Sequence, residues 1–271
     1  MSEAINNPLL TNEEIYQRFS KYIKLKYKPL GMYFSDILPE GKIHRQGKIL
    51  KFCVVEHVFR AANRGGISIL DKDHGCPGGR WWTGFSKVAP RGLAGFLANG
   101  RDGSFGGRAE RFKKNVKVAV GVFKEPGPVK QPKGANFIIY QRLKNIPDSQ
   151  HLEFILFFAN PMQTAKLITL CNYGQHVQDL VRAPGGSGCM SVLNHPLQMK
   201  EAPEYDAVLG VWDLFARSRL PKNVLSLAVR PWFAREMARD IPGSFLGHDA
   251  PFTTKGELKL LFKKLKEKLS R

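Results

Sequence analysis

An α/β fold, a mixed sheet flanked by helices, is what this sequence predicts, and three observations carry it. Strand-length apolar runs alternate with longer stretches whose apolar residues recur at helical spacing. The run 152–158 is almost continuously apolar, as a central strand covered on both faces requires. Clusters of Pro and Gly, such as 125–134 and 184–188, punctuate the chain between these segments. A chain of 271 residues, 43% hydrophobic and 24% charged, can bury a sizeable core, here assigned to one domain over 1–252.

The elements follow in order. Thr11-Asn12-Glu13-Glu14 is a capping box ahead of Ile15, Phe19, Tyr22 and Ile23, which predicts a helix over 12–26 ended by Pro29. Segment 30–34 reads as a strand. Phe52, Val55, Phe59 and Ala62 form the stripe of a second helix stopped by Gly65-Gly66, and 67–70 alternates as a strand. A helical region over 90–98, a short basic helix over 108–115 and a strand over 116–123 come next. The Pro/Gly-rich segment 125–134 breaks regular structure and marks a loop or boundary. Strands at 137–140 and 152–158 lead to a helix opened by Pro161, with Leu167, Leu170, Cys171, Gly174, Val177 and Val181 as its stripe. Short strands are expected at 188–193, 209–214 and 224–229, then a helix from Pro231 carrying Phe233 and Met237.

Strand, helix and Gly-rich turn with cysteine occur twice in that order. Segments 30–34, 51–63 and Cys76 match 152–158, 162–181 and Cys189, so the domain reads as two pseudo-duplicated halves, about 13–124 and 135–247. The remaining segment, 253–271, opens on a second capping-box pattern from Thr254. Leu258, Leu261, Phe262, Leu265 and Leu269 line one face of it and lysines the others. This is a basic amphipathic C-terminal helix whose leucine face is expected to dock on protein.

Cysteine placement carries the chemistry. Cys76 lies in His74-Gly75-Cys76-Pro77-Gly78-Gly79, followed by Arg80 and Trp81-Trp82, and Cys189 closes Pro184-Gly185-Gly186-Ser187-Gly188. Bent, glycine-rich backbone lets amides and ligands approach a thiol closely. Cys53 stands near the start of a helix, whereas Cys171 belongs to a core stripe. Cys53, Cys76 and Cys189 are therefore candidate ligands of an iron-sulfur cluster of the [4Fe-4S] kind, with Gly78 and Gly79 bringing amides to the sulfur. His57, His74 and His195 are nominees for a fourth ligand. Zinc and plain thiols are the alternatives, since no C-x2-C pair is present. Trp81, Trp82 and Phe85 either stack on a planar ligand or belong to the core.

Charge points to an anionic partner. Net charge is +19, and the excess is uneven: 41–65 holds six Lys/Arg and one Glu, and 80–117 holds nine Lys/Arg and two acids. Arg80, Arg101, Arg108 and Arg111 are candidate contacts to a small anionic ligand or to an acidic redox protein. A nucleic-acid-binding protein without redox function is the alternative. No protease, serine-hydrolase, Walker A or Rossmann motif appears, and a homo-oligomer is compatible with the sequence. No apolar stretch reaches membrane-spanning length, and the start has no basic region followed by an apolar run, so a cytoplasmic protein with reduced thiols is expected.

Together, Cys53 near a helix start, the Cys76-Pro77-Gly78-Gly79 turn and the Gly-rich segment ending in Cys189 resemble the domain-of-unknown-function family numbered 169. That family is common in anaerobic bacteria and archaea, and the likeness covers about 13–247. The resemblance implies no established reaction.

Overall fold

A computed structural model describes residues 9–45, 53–100, 107–124, 127–177, 179–202, 204–248 and 255–269. Its centre is one eight-stranded sheet in the order β2-β3-β4-β1-β5-β8-β7-β6. The strands are β1 (Leu30–Ser35), β2 (Ile43–Arg45), β3 (Ile67–Leu70), β4 (Phe137–Arg142), β5 (Phe154–Ala159), β6 (Val181–Arg182), β7 (Ala207–Gly210) and β8 (Leu225–Val229). Both edge pairs, β2 with β3 and β6 with β7, are parallel, and every pair between them is antiparallel. A parallel pair cannot be closed by a hairpin, so each edge requires a crossover. The helix α2 (Val54–Arg64) crosses from β2 to β3; a π-helical turn, Met190–Asn194, running into α7 (His195–Gln198), crosses from β6 to β7.

Alternation along each strand divides the core between two layers. Met32, Tyr140, Phe154, Leu156 and Phe158 face one side, where they meet Val55, Phe59, Trp81, Trp82 and Leu193. Tyr33, Ile139, Ile155 and Phe157 face the other. That second side is covered by α1 (Asn12–Tyr22), α6 (Pro161–Asn172) and α9 (Pro231–Asp240). The first side carries α2, α3 (Pro77–Trp82), α4 (Leu93–Leu97), α5 (Val116–Lys124), the π-turn and α8 (Leu214–Arg217). A last helix, α10 (Lys255–Leu269), ends the described chain.

The capping box forms as the sequence predicts, with the Glu14 amide donating to Thr11 Oγ1 and Glu14 answering at the Thr11 amide. Helix α1 nevertheless ends at Tyr22, because Lys24 takes a left-handed φ of 57° well before Pro29. Segment 116–123 is helix α5 rather than a strand, and 108–115 forms no helix. Asn115 Oδ1 accepts from the Val118 amide, and this local bond starts a helix where valine content alone suggested a strand. The stripe after Pro161 stops at Asn172, and Val181 belongs to β6. Segment 188–193 is the π-turn, not a strand. In α10, Phe262, Leu265 and Leu269 are exposed, so this part of the leucine face does not dock on the body.

Candidate functional site

Three helix starts on one side of the sheet carry the three nominated cysteines. Cys53 is the N-cap of α2, Cys76 the N-cap of α3, and Cys189 immediately precedes the π-turn. The supposed Cys76 turn is thus the first turn of a helix: Pro77 sits where a missing amide costs nothing, and the Gly79 amide donates to Cys76 Sγ at 3.2 Å. Glycine closes the gaps between segments. A Cβ on Gly79 would stand 2.8 Å from Val54 Cγ2, and one on Gly188 would stand 2.6 Å from Val55 Cγ2 and 2.7 Å from Ala216 Cβ. The backbones beside Cys76 and Cys189 therefore press directly on the N-terminus of α2, where Cys53 is.

All three thiols are free and feel one another. Burial pushes Cys53 up to about 11, and the charges of Cys76 and Asp213 add to that, against the amides of Glu56 and Val55 that face the sulfur. Burial also raises Cys76, opposed by the Gly79 amide and by Arg219. Cys189 lies well above the ordinary thiol range through burial first, then Cys53, Cys76, Asp213 and Glu110. Cys171 stands apart on the other face of the sheet, with its Sγ 3.7 Å from Met237 Sδ, and is a core residue. Three thiols and two carboxyl groups thus share one neighbourhood, and Cys189, the most deeply buried of the thiols, feels the other four.

Sequence reasoning missed the two carboxyl groups. Asp213 follows β7 and caps α8: its Oδ1 accepts from the Ala216 amide at 3.1 Å and its Oδ2 from the Gly188 amide at 2.8 Å. Glu110 holds its proton up to about 8, through burial and then the charge of Asp213. Two of the three described non-glycine residues with positive φ flank this pair, Arg111 at 59° and Val211 at 70°. Such a conformation is an outlier for a β-branched residue and persists where the surroundings impose it, often at functional sites. Both acids line a cavity of about 740 Å³, with Phe96, Phe112 and Trp212 as aromatic wall and Arg108 and Lys113 as cations. The capping pattern of Asp213 was the signal available in the sequence.

A family model, that of the domain-of-unknown-function family 169 described as uncharacterised ArCR, matches residues 18–239, from within α1 to α9 and across all four cysteines. The chain belongs to this family, DUF169. No curated protein and no solved structure matches it.

In this DUF169 protein the remaining candidates separate clearly. Arg108 lines the cavity; Arg111 is exposed beside Glu110; Arg80 is half-buried on α3, its Nε without a hydrogen-bond partner among the described residues; Arg101 lies outside those residues. Gly78 and Gly79 both turn amides toward Cys76. Arg219, 3.3 Å from Glu56, is the cation that favours the Cys76 thiolate. His57 is committed to the sheet through the Ile69 carbonyl at 3.1 Å, and His74 to Asp71 at 2.8 Å, so neither is the acid-side neighbour of the thiols that Asp213 is. Trp81 and Trp82 are buried and meet Phe123 edge-on, so they are core rather than a stacking platform. Among the described residues no group of three or more His, Cys, Asp or Glu is placed to hold a single metal ion. No described helix is long and apolar enough to cross a membrane.

Proposed function

We propose that this DUF169 protein is an iron-sulfur protein whose cluster is held by Cys53, Cys76 and Cys189, and that it acts on a small anionic substrate bound in the adjoining cavity. One observation carries the reading: three free cysteines from distant segments stand at three helix starts on one side of the sheet, where Cys189 feels the other two, while the fourth is packed away on the opposite face. Buried thiols that raise one another's pKa form a donor set suited to a soft cation, and thiolates of this kind hold iron-sulfur clusters. When bound, the cluster supplies one-electron chemistry and, with three protein thiolates, an iron open to a further ligand.

The chain's own residues would supply the rest. Arg108 and Lys113 draw an anion into the cavity, and Phe96, Phe112 and Trp212 offer it an aromatic wall. Glu110 keeps a proton near neutrality beside Asp213, so a carboxylic acid faces the bound molecule and can donate. Amides at the starts of α2 and α3 point at the sulfurs of Cys53 and Cys76 and favour their thiolate form.

Anaerobic purification with iron and sulfide analysis tests the reading. The wild-type protein should be brown, Cys53→Ser, Cys76→Ser and Cys189→Ser should each lose iron, and Cys171→Ser should keep it. Colourless, iron-free wild-type protein from cells that assemble clusters would refute it, and one equivalent of zinc would assign the same thiols to zinc. Tight binding of random RNA, with no redox change on adding a reduced acidic ferredoxin, would instead favour the nucleic-acid alternative.

A further inference from the structure

A second cavity, about 560 Å³, lies on the other side of the Gly185 loop and shares Lys113 and Gly185 with the first. Its size is that of a small-molecule site. His195, at the head of α7, lines it and is only 6% exposed. The imidazole Nδ1 lies 3.3 Å from Gln198 Oε1, and Nε2 has no hydrogen-bond partner among the described residues. A buried polar nitrogen left without a partner costs free energy unless something else supplies one. Glycine lets the loop lie close beside it, since a Cβ on Gly186 would come within 3.0 Å of both Nε2 and Met190 Sδ. Burial lowers the His195 pKa, against the side chain of Gln198 and the Gly185 carbonyl, so the ring stays neutral at pH 7.

Cations frame the same space. Arg182 follows Val181 on the edge strand β6, and its guanidinium stands 5.2 Å from the Tyr205 ring, which orients it without using its N–H groups. Lys113 is on the opposite wall, and Glu201 is the acid among the described lining residues. Two cations select an oxyanion, whereas a neutral, buried imidazole selects a group that can pair with it in either tautomer, which a hydroxyl does.

We propose that this cavity binds a small hydroxylated oxyanion, its anionic group held by Arg182 and Lys113 and its hydroxyl paired with His195 Nε2. The site does not depend on iron, and its ligand reaches the same loop, Gly185-Gly186, that walls the acid-lined cavity.

Titration calorimetry on the full chain, with ¹⁵N NMR of the histidine side chains, tests the site using D-glycerate, glycerol 3-phosphate, glycerol and inorganic phosphate. One of the two hydroxylated anions should bind with a Kd of roughly 1 mM or tighter and shift the His195 Nε2 resonance. Glycerate as the binder identifies a carboxylate ligand, glycerol 3-phosphate a phosphorylated one. Glycerol and inorganic phosphate should each bind about tenfold more weakly, and His195→Gln or the exposed Arg182→Ala should cost roughly tenfold. Lys21→Ala, at the exposed end of α1 on the other side of the sheet, should leave binding unchanged. The proposal is overturned if neither anion binds, if inorganic phosphate binds as well, or if Arg182→Ala binds normally with the His195 resonance unmoved.

Discussion

The sheet reads the same from either edge. Strands β2-β3-β4-β1 run inward from one side and β6-β7-β8-β5 from the other, with parallel pairs at both edges and the antiparallel pair β1 and β5 at the centre. Under this correspondence Cys53 and Cys189 both open the edge crossovers, and Cys76 and Asp213 both cap the helix that follows the next strand, each accepting from the amide three residues on. The match expected from the sequence, Cys76 with Cys189, is not the one the topology makes, and the first set of four strands closes after β4 rather than at 125–134. The two regions differ in one respect with large effect. Between β3 and β4 the chain spends residues 71–136 on α3, α4, α5 and their loops, whereas between β7 and β8 it spends 211–224 on α8. Equivalent positions thus bring the reactive side chains together, and the longer connection supplies Phe96, Glu110, Phe112 and Lys113 as a roof over Asp213.

Exchanging the two caps should break that correspondence most severely. If the proposed cluster is held there, Cys76→Asp should abolish iron retention, because a hard carboxylate replaces a thiolate, while Asp213→Cys should keep it and slow oxidative bleaching by offering a fourth thiolate. Iron per chain and the decay of visible absorption read both; loss of iron in Asp213→Cys would mean that Asp213 does not stand beside the cluster.

Glycines that allow the segments to touch come next. Gly188→Ala, facing Val55 and Ala216, and Gly79→Ala, facing Val54, should each lower stability by about 1–3 kcal/mol in denaturant titrations. Gly185→Ala meets nothing within 4 Å and should leave stability unchanged. Equal midpoints for all three would remove the close approach of the three helix starts.

A pH effect reports on the first half through His57. Burial holds the His57 pKa down from 6.5 to about 4, so the folded state binds its proton less readily than the unfolded chain. Its contribution is complete above pH 6.5 and is lost as the pH falls toward 4. Melting temperatures of the wild type and His57→Gln should therefore converge over that window; parallel curves would place the acid sensitivity elsewhere.

The smallest effect belongs to the C-terminal helix. With Phe262, Leu265 and Leu269 exposed, removal of 253–271 should change the stability of the monomer by no more than about 0.5 kcal/mol. A larger drop, or a change in mass by sedimentation, would show that the leucine face is covered by another copy of the chain.

Strands 30–34, 67–70, 137–140, 152–158 and 224–229 were legible because alternation and β-branched or aromatic content point the same way. Valine content misled at 116–123, where the cap at Asn115 and packing against α4 favour helix. Two cysteines announced themselves through Gly-rich neighbours, and their convergence with Cys53 follows from the crossovers. Asp213 carries only a capping pattern and Glu110 no motif: Asp213 comes near the thiols because β7 pairs with β6 and β8, and Glu110 because the loop of 107–115 folds back, its amide donating to the Phe96 carbonyl at 2.7 Å. Such proximity is a property of topology, which short spacings do not encode.

The π-turn at Met190–Asn194 sets an angular register. It separates Cys189, in the thiol cluster, from His195, in the second cavity, and Tyr140 anchors it by donating to the Val192 carbonyl at 2.9 Å. A widened turn carries one more residue than the α-helix it interrupts. Deleting one residue there would return the turn to ordinary α-helical winding and change the angle between Cys189 and His195, which an α-helix spaces at about 100° per residue. The single extra residue thus lets one crossover hold its thiol in the core and turn its imidazole to the wall of the second cavity.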